Sequence, residues 1–249
     1  MAKQKAMYKL QGSIGDVTFF RTGDGYFARE KSGISAERIA SDPKFQRTRE
    51  NGQEFGAICR SGKQLRDSIK PLLAIIKDRK KVPRLIKLMA QVKNLDMISP
   101  RGKRNVGSGI ATPEGQALIK GYNFNSSALL GTILTHPYSV NTSTGEITIA
   151  NLDPGQHISA PAEATHTLIR GCWTRIDFGT GESETFYTNE EVIALDATAS
   201  TVVLSPLGIP SGTGTDLYLL SVSFLQEMNG SLYALQNQTF SAVAIAEIS

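Results

Sequence analysis

The sequence predicts an α+β protein, an N-terminal β-hairpin and helical region followed by an antiparallel β-sandwich. Three observations carry this expectation. Thr22-Gly23-Asp24-Gly25 lies between two runs rich in aromatic and β-branched residues, a hairpin signal. Behind Asp42-Pro43, apolar and small residues recur at spacings of three and four as far as Asp96, the period of helices with one packed face. From Ala117 onward the texture changes to short Thr, Val, Ile and Leu-rich runs separated by turn residues, the pattern of antiparallel strands. The organisation expected is a basic hairpin-plus-helix domain over 1–98, a linker over 99–116 and an acidic sandwich domain over 117–249.

The hairpin, over 17–29, carries Phe19, Phe20, Tyr26 and Phe27 with aromatics on both faces. A two-stranded ribbon of this kind is marginal alone. It should therefore pack on its own subunit or dock on another chain, where an open strand edge can be extended. Asp42 can accept from the orphan amides of a helix start, and Pro43 fits the first helical position because its missing N–H costs nothing there. A helix is expected over 43–69, with Phe45, Thr48, Gly52, Phe55, Cys59, Gly62, Leu65 and Ile69 as its stripe. Glycine inside a helix costs about 1 kcal/mol relative to alanine, so Gly52, Gly56 and Gly62 suggest close approach of another element. Pro71 and Pro83 open further helices, over 71–81 and 83–96.

Residues 99–115, with Pro100, Gly102, Gly107, Gly109, Pro113 and Gly115, lack periodicity and read as the linker. Strands are expected over 145–150, 165–178, 184–188, 201–204, 216–228 and 231–248, with Asn229-Gly230 as the turn between the last two. Tyr218, Leu220, Val222 and Phe224 make one apolar face. The last strand, apolar on both sides through Phe240, Ala242, Ala244, Val243 and Ile245, should be central or covered.

Charge is more informative than size. The 249 residues, 40% hydrophobic and 20% charged, suffice for an ordered core, and the net charge is +4. Residues 1–125 hold 25 Lys+Arg against 11 Asp+Glu, whereas 126–249 hold 2 against 12. Opposite fields in one chain point to an anionic partner for the basic half or to attraction between unlike halves of neighbouring subunits. With no signal-peptide run and no long apolar stretch, the chain is expected to be cytoplasmic or particle-associated, without a membrane partner. Its Asn-x-Ser/Thr patterns, including Asn237-Gln238-Thr239, are then coincidental.

Catalytic signals are missing. Cys59 and Cys172 lie one in each half, and His136, His157 and His166 stand at no metal spacing, so neither a disulfide framework, a metal site nor a cofactor is expected. Asp177, Glu182 and Glu184 flank the turn Gly179-Thr180-Gly181 without the ordered ligand series of a calcium loop. Trp173 shares parity with Thr165, Thr167, Arg175 and Asp177, a polar face on which one aromatic either caps the core under a loop or meets a sugar or a protein. Two basic clusters suit phosphate contacts: Lys77, Arg79, Lys80, Lys81 and Arg84, then Arg101, Lys103 and Arg104. No aromatic interleaving accompanies them, which argues against base readout.

The run Gly12-Ser13-Ile14-Gly15-Asp16-Val17-Thr18-Phe19-Phe20, then Asp24-Gly25-Tyr26, Arg29-Glu30-Lys31 and Asp42-Pro43-x-Phe45-Gln46-Arg47-Thr48-Arg49-Glu50-Asn51, resembles a group of uncharacterised Bacteroidota proteins. The resemblance is close over 1–70 and one of general layout beyond, and it carries over no functional residue. In plan the chain is also similar to hairpin-plus-helix proteins with a C-terminal sandwich from phage-like or assembly contexts, which implies a structural subunit. The expectation is a non-enzymatic, self-assembling homo-oligomer of a phage-like or filamentous particle, with Phe19, Phe20, Tyr26, Phe27, Gly52 and Gly56 in its contacts. The alternatives are a module that binds carbohydrate or protein through Trp173, and non-specific nucleic-acid binding through Lys80, Lys81, Arg84, Arg101, Lys103 and Arg104.

Overall fold

The computed structural model describes residues 1–30, 33–235 and 240–249. Lys31, the Asn237-Gln238-Thr239 pattern and the middle of the strand expected over 231–248 lie outside them. The described chain divides into two compact units, Met1–Asn51 and Gly52–Ser249.

In the first unit the expected hairpin is present. Strands β1 (Ala2–Lys3), β2 (Gly12–Ile14), β3 (Val17–Thr22) and β4 (Gly25–Glu30) form an antiparallel sheet in the order β1-β4-β3-β2. Thr22 pairs with Gly25 across a two-residue turn, and Gly25 takes φ +125°, a backbone conformation that glycine alone adopts readily. Helix α1 (Ala36–Ser41) follows, capped by the Ser35 hydroxyl, and Asp42 accepts from the Lys44 N–H to start the turn Pro43–Phe45. Helix α2 (Gln46–Ser68) continues from there.

The stripe α2 buries is Glu54, Ile58, Ser61, Gly62 and Leu65, one position away from the expected stripe at its start. Phe55 is exposed, because the carboxylate of Glu54 and not the ring faces inward. Short α3 (Lys70–Leu73) replaces the expected helix over 71–81. Helix α4 (Lys81–Lys93) carries Pro83 in its first turn and buries Leu85, Leu88, Met89 and Val92. Residues 99–116, read as a linker, hold two packed helices, α5 (Val106–Ile110) and most of α6 (Pro113–Ile119). A methyl group on Gly109 would stand 2.0 Å from the Val92 carbonyl oxygen, and one on Gly115 2.0 Å from that of Gly109. These glycines allow backbone to meet backbone.

Next come α7 (Leu130–Ile133), β5 (Ser139–Val140), β6 (Ile147–Leu152), α8 (Pro154–His157), β7 (His166–Ile176), β8 (Ser183–Tyr187), β9 (Glu191–Ala194), β10 (Ser200–Leu204), β11 (Thr215–Met228), β12 (Ser231–Ala234) and β13 (Ala242–Ile248). β11 pairs with β7 over eleven residues, with β12 and β13 beyond β11 and β8 and β9 beyond β7, making a six-stranded antiparallel sheet. β10, β6 and β5 form a three-stranded sheet. Asn229 and Gly230 both take positive φ, 53° and 76°, the turn that matches strand twist.

Alternation along β11 sends Leu217 and Leu219 into a core shared with α2 to α6, and Leu220, Val222 and Phe224 into a second core shared with β6 and β10. β13 is apolar on both sides for the same reason: Val243 and Ile245 join the helical core, Ala242 and Ala244 the other. The fold is mixed α+β. No helix among the described residues is long and apolar enough to cross a membrane.

Candidate functional site

In the N-terminal sheet, cross-strand partners share a face. Phe20 opposes Phe27 on one side with ring centroids 6.2 Å apart, while Phe19 and Tyr26 lie on the other. The guanidinium of Arg29 sits 5.5 Å from the Phe20 ring and that of Arg21 5.6 Å from the Tyr26 ring. All four aromatics are only half-buried, and no described residue in Met1–Asn51 is buried. Met7, Tyr8 and Ile14 are exposed. The sheet thus shows apolar surface on both faces.

Gly52 and Gly56 were expected to admit a neighbouring element. A methyl group on Gly52 would meet nothing within 4 Å, and one on Gly56 only the Arg60 guanidinium. Among the described residues neither glycine is closely approached by another element.

The basic residues fall at the two ends of α4, roughly 20 Å apart at 1.5 Å per residue. At its start, Arg84 is a structural residue. It pairs with Asp78 at 2.8 Å and donates to the carbonyls of Asn123 and Phe124 at 3.1 and 2.8 Å, tying the helices to the chain that leads into the sheet. Burial pushes the Asp78 carboxyl up, but the Lys80 N–H, the hydroxyl and N–H of Ser126, and Arg84 outweigh it and hold it down to about 2. Lys80 is exposed, while the half-buried Lys81 ammonium reaches the Leu73 carbonyl at 3.4 Å.

At the other end of α4, two buried carboxylates build the loop 96–105. Glu54 accepts from the Lys93 ammonium at 2.6 Å and from the Gly102 N–H at 2.8 Å. Asp96 accepts from the N–H groups of Ile98, Ser99 and Asn105 at 3.1, 2.9 and 3.0 Å. Burial raises both carboxyls, and these donors lower them further than burial raises them. Arg101 and Lys103 stand exposed on the loop, and Arg104 is half-buried. Sequence reasoning missed Glu54 and Asp96, since a buried carboxylate in a helix stripe looks like any surface acid until its partners are known.

Trp173 is not displayed. It is 2% exposed, lying 5.4 Å from the Tyr218 ring and so close to Gly145 that a methyl group there would stand 2.4 Å from an indole carbon. Its indole N–H donates to Asp216 at 2.7 Å, and Asp216 also takes Arg175 in a two-pronged pair at 2.9 and 2.8 Å. The polar residues of this face, Arg175 and Asp216, are half-buried and tied to the buried indole. Trp173→Ala should cost about 3–5 kcal/mol in denaturant unfolding, and native fluorescence should be blue-shifted. An exposed-type spectrum with unchanged stability would reverse that assignment.

Asp177 and Glu184 are committed to turns. Asp177 accepts from the N–H groups of Gly179 and Thr180, and Glu184 takes both the N–H and the hydroxyl of Ser211 at 2.6 Å. Each is held below the usual carboxylate range by those donors. Among the described residues no group of three His, Cys, Asp or Glu could hold a metal. His136 and His157 stack with centroids 4.1 Å apart, a pairing the sequence spacing did not suggest. Neither a protein-family model, a curated protein nor a solved structure matches this chain.

Proposed function

We propose that the protein is a non-enzymatic, self-assembling structural subunit of a phage-like or filamentous particle, in which the N-terminal sheet docks on a neighbouring copy. The observation that carries this reading is a unit of 51 residues that buries none of its described side chains while holding aromatics on both faces of a regular sheet. Hydrophobic burial is the dominant favourable force in folding, and such a unit gains little of it alone. A partner surface supplies what is missing.

The body is built to be such a surface. Its two sheets enclose a common apolar core, which we read as a β-sandwich backed by helices. Between Gly52 and Asn125 there are 15 Lys+Arg against 5 Asp+Glu, and from Ser126 onward 2 against 12. Helical and β parts of one unit therefore carry opposite charge. Copies can attract one another along that axis. The strongest carboxylates offered for chemistry, Asp177 and Glu184, are engaged in turns, which supports a structural role.

The test is the size of the full chain in solution. Light scattering and sedimentation should show growth beyond a monomer as concentration rises. A monomer at every concentration and salt level would remove the reading.

A further inference from the structure

We propose that the bodies join head to tail through two rigid loops on opposite faces of the six-stranded sheet: the 96–105 loop of one copy, tipped by Met97 and Ile98, seats on the 206–211 loop of the next, which carries Leu207 and Ile209. The proposal rests on the self-assembly reading and names the surfaces involved.

Met97 and Ile98 are 83% and 91% exposed. Exposed apolar side chains on a loose loop would mean little, but this loop is fixed from below by the two buried carboxylates Glu54 and Asp96. Exposed cations, Arg101 and Lys103, share it. The second loop repeats the exposed apolar tip; it carries no charge of its own, and Glu146 and Glu184 flank it together with Arg175. Leu207 and Ile209 are 79% and 65% exposed, yet the backbone on either side of them is tied. The Leu207 N–H donates to the Tyr187 carbonyl at 3.0 Å, and Gly208 lies so flat on Phe186 that an added methyl would stand 2.6 Å from a ring carbon. The Pro210 carbonyl accepts from Arg175 at 2.6 Å, and Glu184 holds Ser211. Glu146 reaches Ser205 just before it. Loops already fixed lose little freedom on docking, so their apolar tips contribute more affinity than mobile ones would.

Their placement decides the type of contact. The first loop joins α4 to α5 on the helical side of the sheet. Gly208 rests on Phe186, which pairs with Trp173 across β7 and β8 and so shares its face. Trp173 packs with Tyr218, on the side of β11 opposite Leu217 and Leu219, away from the helices. A contact between unlike patches on opposite faces is heterologous, and repeated it closes a ring or grows a filament. An anionic lipid surface would suit the first loop alone. The acid-flanked second loop has its counterpart in a cationic apolar surface, and this chain provides one.

The experiment uses the full chain in two paired variants, Met97→Asp with Ile98→Asp and Leu207→Asp with Ile209→Asp, with circular dichroism confirming the fold. Each variant alone should associate more than about tenfold more weakly than wild type in sedimentation, the loss expected of an interface anchor. An equimolar mixture retains one intact loop of each kind and should form dimers. Alanine pairs at the same positions give the same direction if the aspartates disturb folding. Variants that assemble like wild type, or a mixture that stays monomeric, overturn the proposal while leaving self-assembly standing. So does wild-type binding to phosphatidylserine vesicles that Met97→Asp with Ile98→Asp abolishes. A monomeric wild type removes both readings.

Discussion

Glu54→Ala should destabilise the body by about 3–5 kcal/mol, the cost of leaving a buried charge without its partner. The Lys93 side chain is only 10% exposed, and its ammonium sits 2.6 Å from the Glu54 carboxylate. Removing the carboxylate strands that ammonium and also orphans the Gly102 N–H. Glu54→Gln keeps the shape and an acceptor for Gly102 and should fall between the two. The pH dependence has a definite sign. Burial raises the Glu54 carboxyl, but Lys93 and the Gly102 N–H together hold it below its ordinary value, so the folded state binds the proton less readily than the unfolded chain. Its contribution is fully present above the unfolded carboxylate pKa of about 4.3 and is lost as pH falls through the folded value. Asp78, held at about 2, acts in the same direction. Urea midpoints followed from pH 7 to pH 3 should drop steeply for wild type and less steeply for Glu54→Ala. Equal midpoints at pH 7 would show that the pair contributes nothing.

How much was legible in the sequence follows from how local each signal is. The hairpin turn at Gly23-Asp24, the Asp42-Pro43 helix start and the Asn229-Gly230 turn depend on residues within a few positions, and each appears where expected. Glycines divide. Gly109 and Gly115, in the expected linker, are packed against backbone; of the three expected to admit a neighbour, Gly62 is buried with Leu85 and Ile86 of α4 within 4 Å of an added methyl, Gly56 would meet only the Arg60 guanidinium, and Gly52 faces open space. A glycine marks a special backbone position, and only the fold says whether it meets an atom or solvent. Trp173 left two readings open, a Trp capping the core and a displayed aromatic, because its strand-mates Arg175 and Asp177 are polar; the ring is buried, and Asp216 from the neighbouring β11 ties it to Arg175. The rigid loops at 96–105 and 206–211 were not legible, because their anchors Glu54 and Glu184 lie 48 and 27 residues from the groups they hold.

Deleting residues 1–31 should leave a folded body that no longer assembles. Both cores are made of residues from Ile58 onward, all in the second unit, so the unfolding midpoint should be that of the full chain. Association should respond strongly. The full chain offers Phe19, Phe20, Tyr26 and Phe27 as apolar surface, at about 25 cal/mol per Å² removed from water on docking. Without that sheet the body keeps its two loop tips, whose four apolar side chains supply much less than the roughly 800 Å² per partner of a stable interface, and exposed apolar residues outside the loops such as Phe55, Met228 and Tyr233; the truncated chain should remain monomeric at concentrations where the full chain grows. Salt separates the two forces. The Debye length falls from about 8 Å at physiological ionic strength to about 3 Å at 1 M, which weakens the attraction between basic and acidic parts and leaves apolar docking largely intact. High salt should therefore slow assembly of the full chain without abolishing it. If the truncated chain assembles like the full one, the sheet is not the docking element; if it fails to fold, the sheet belongs to the subunit's own core.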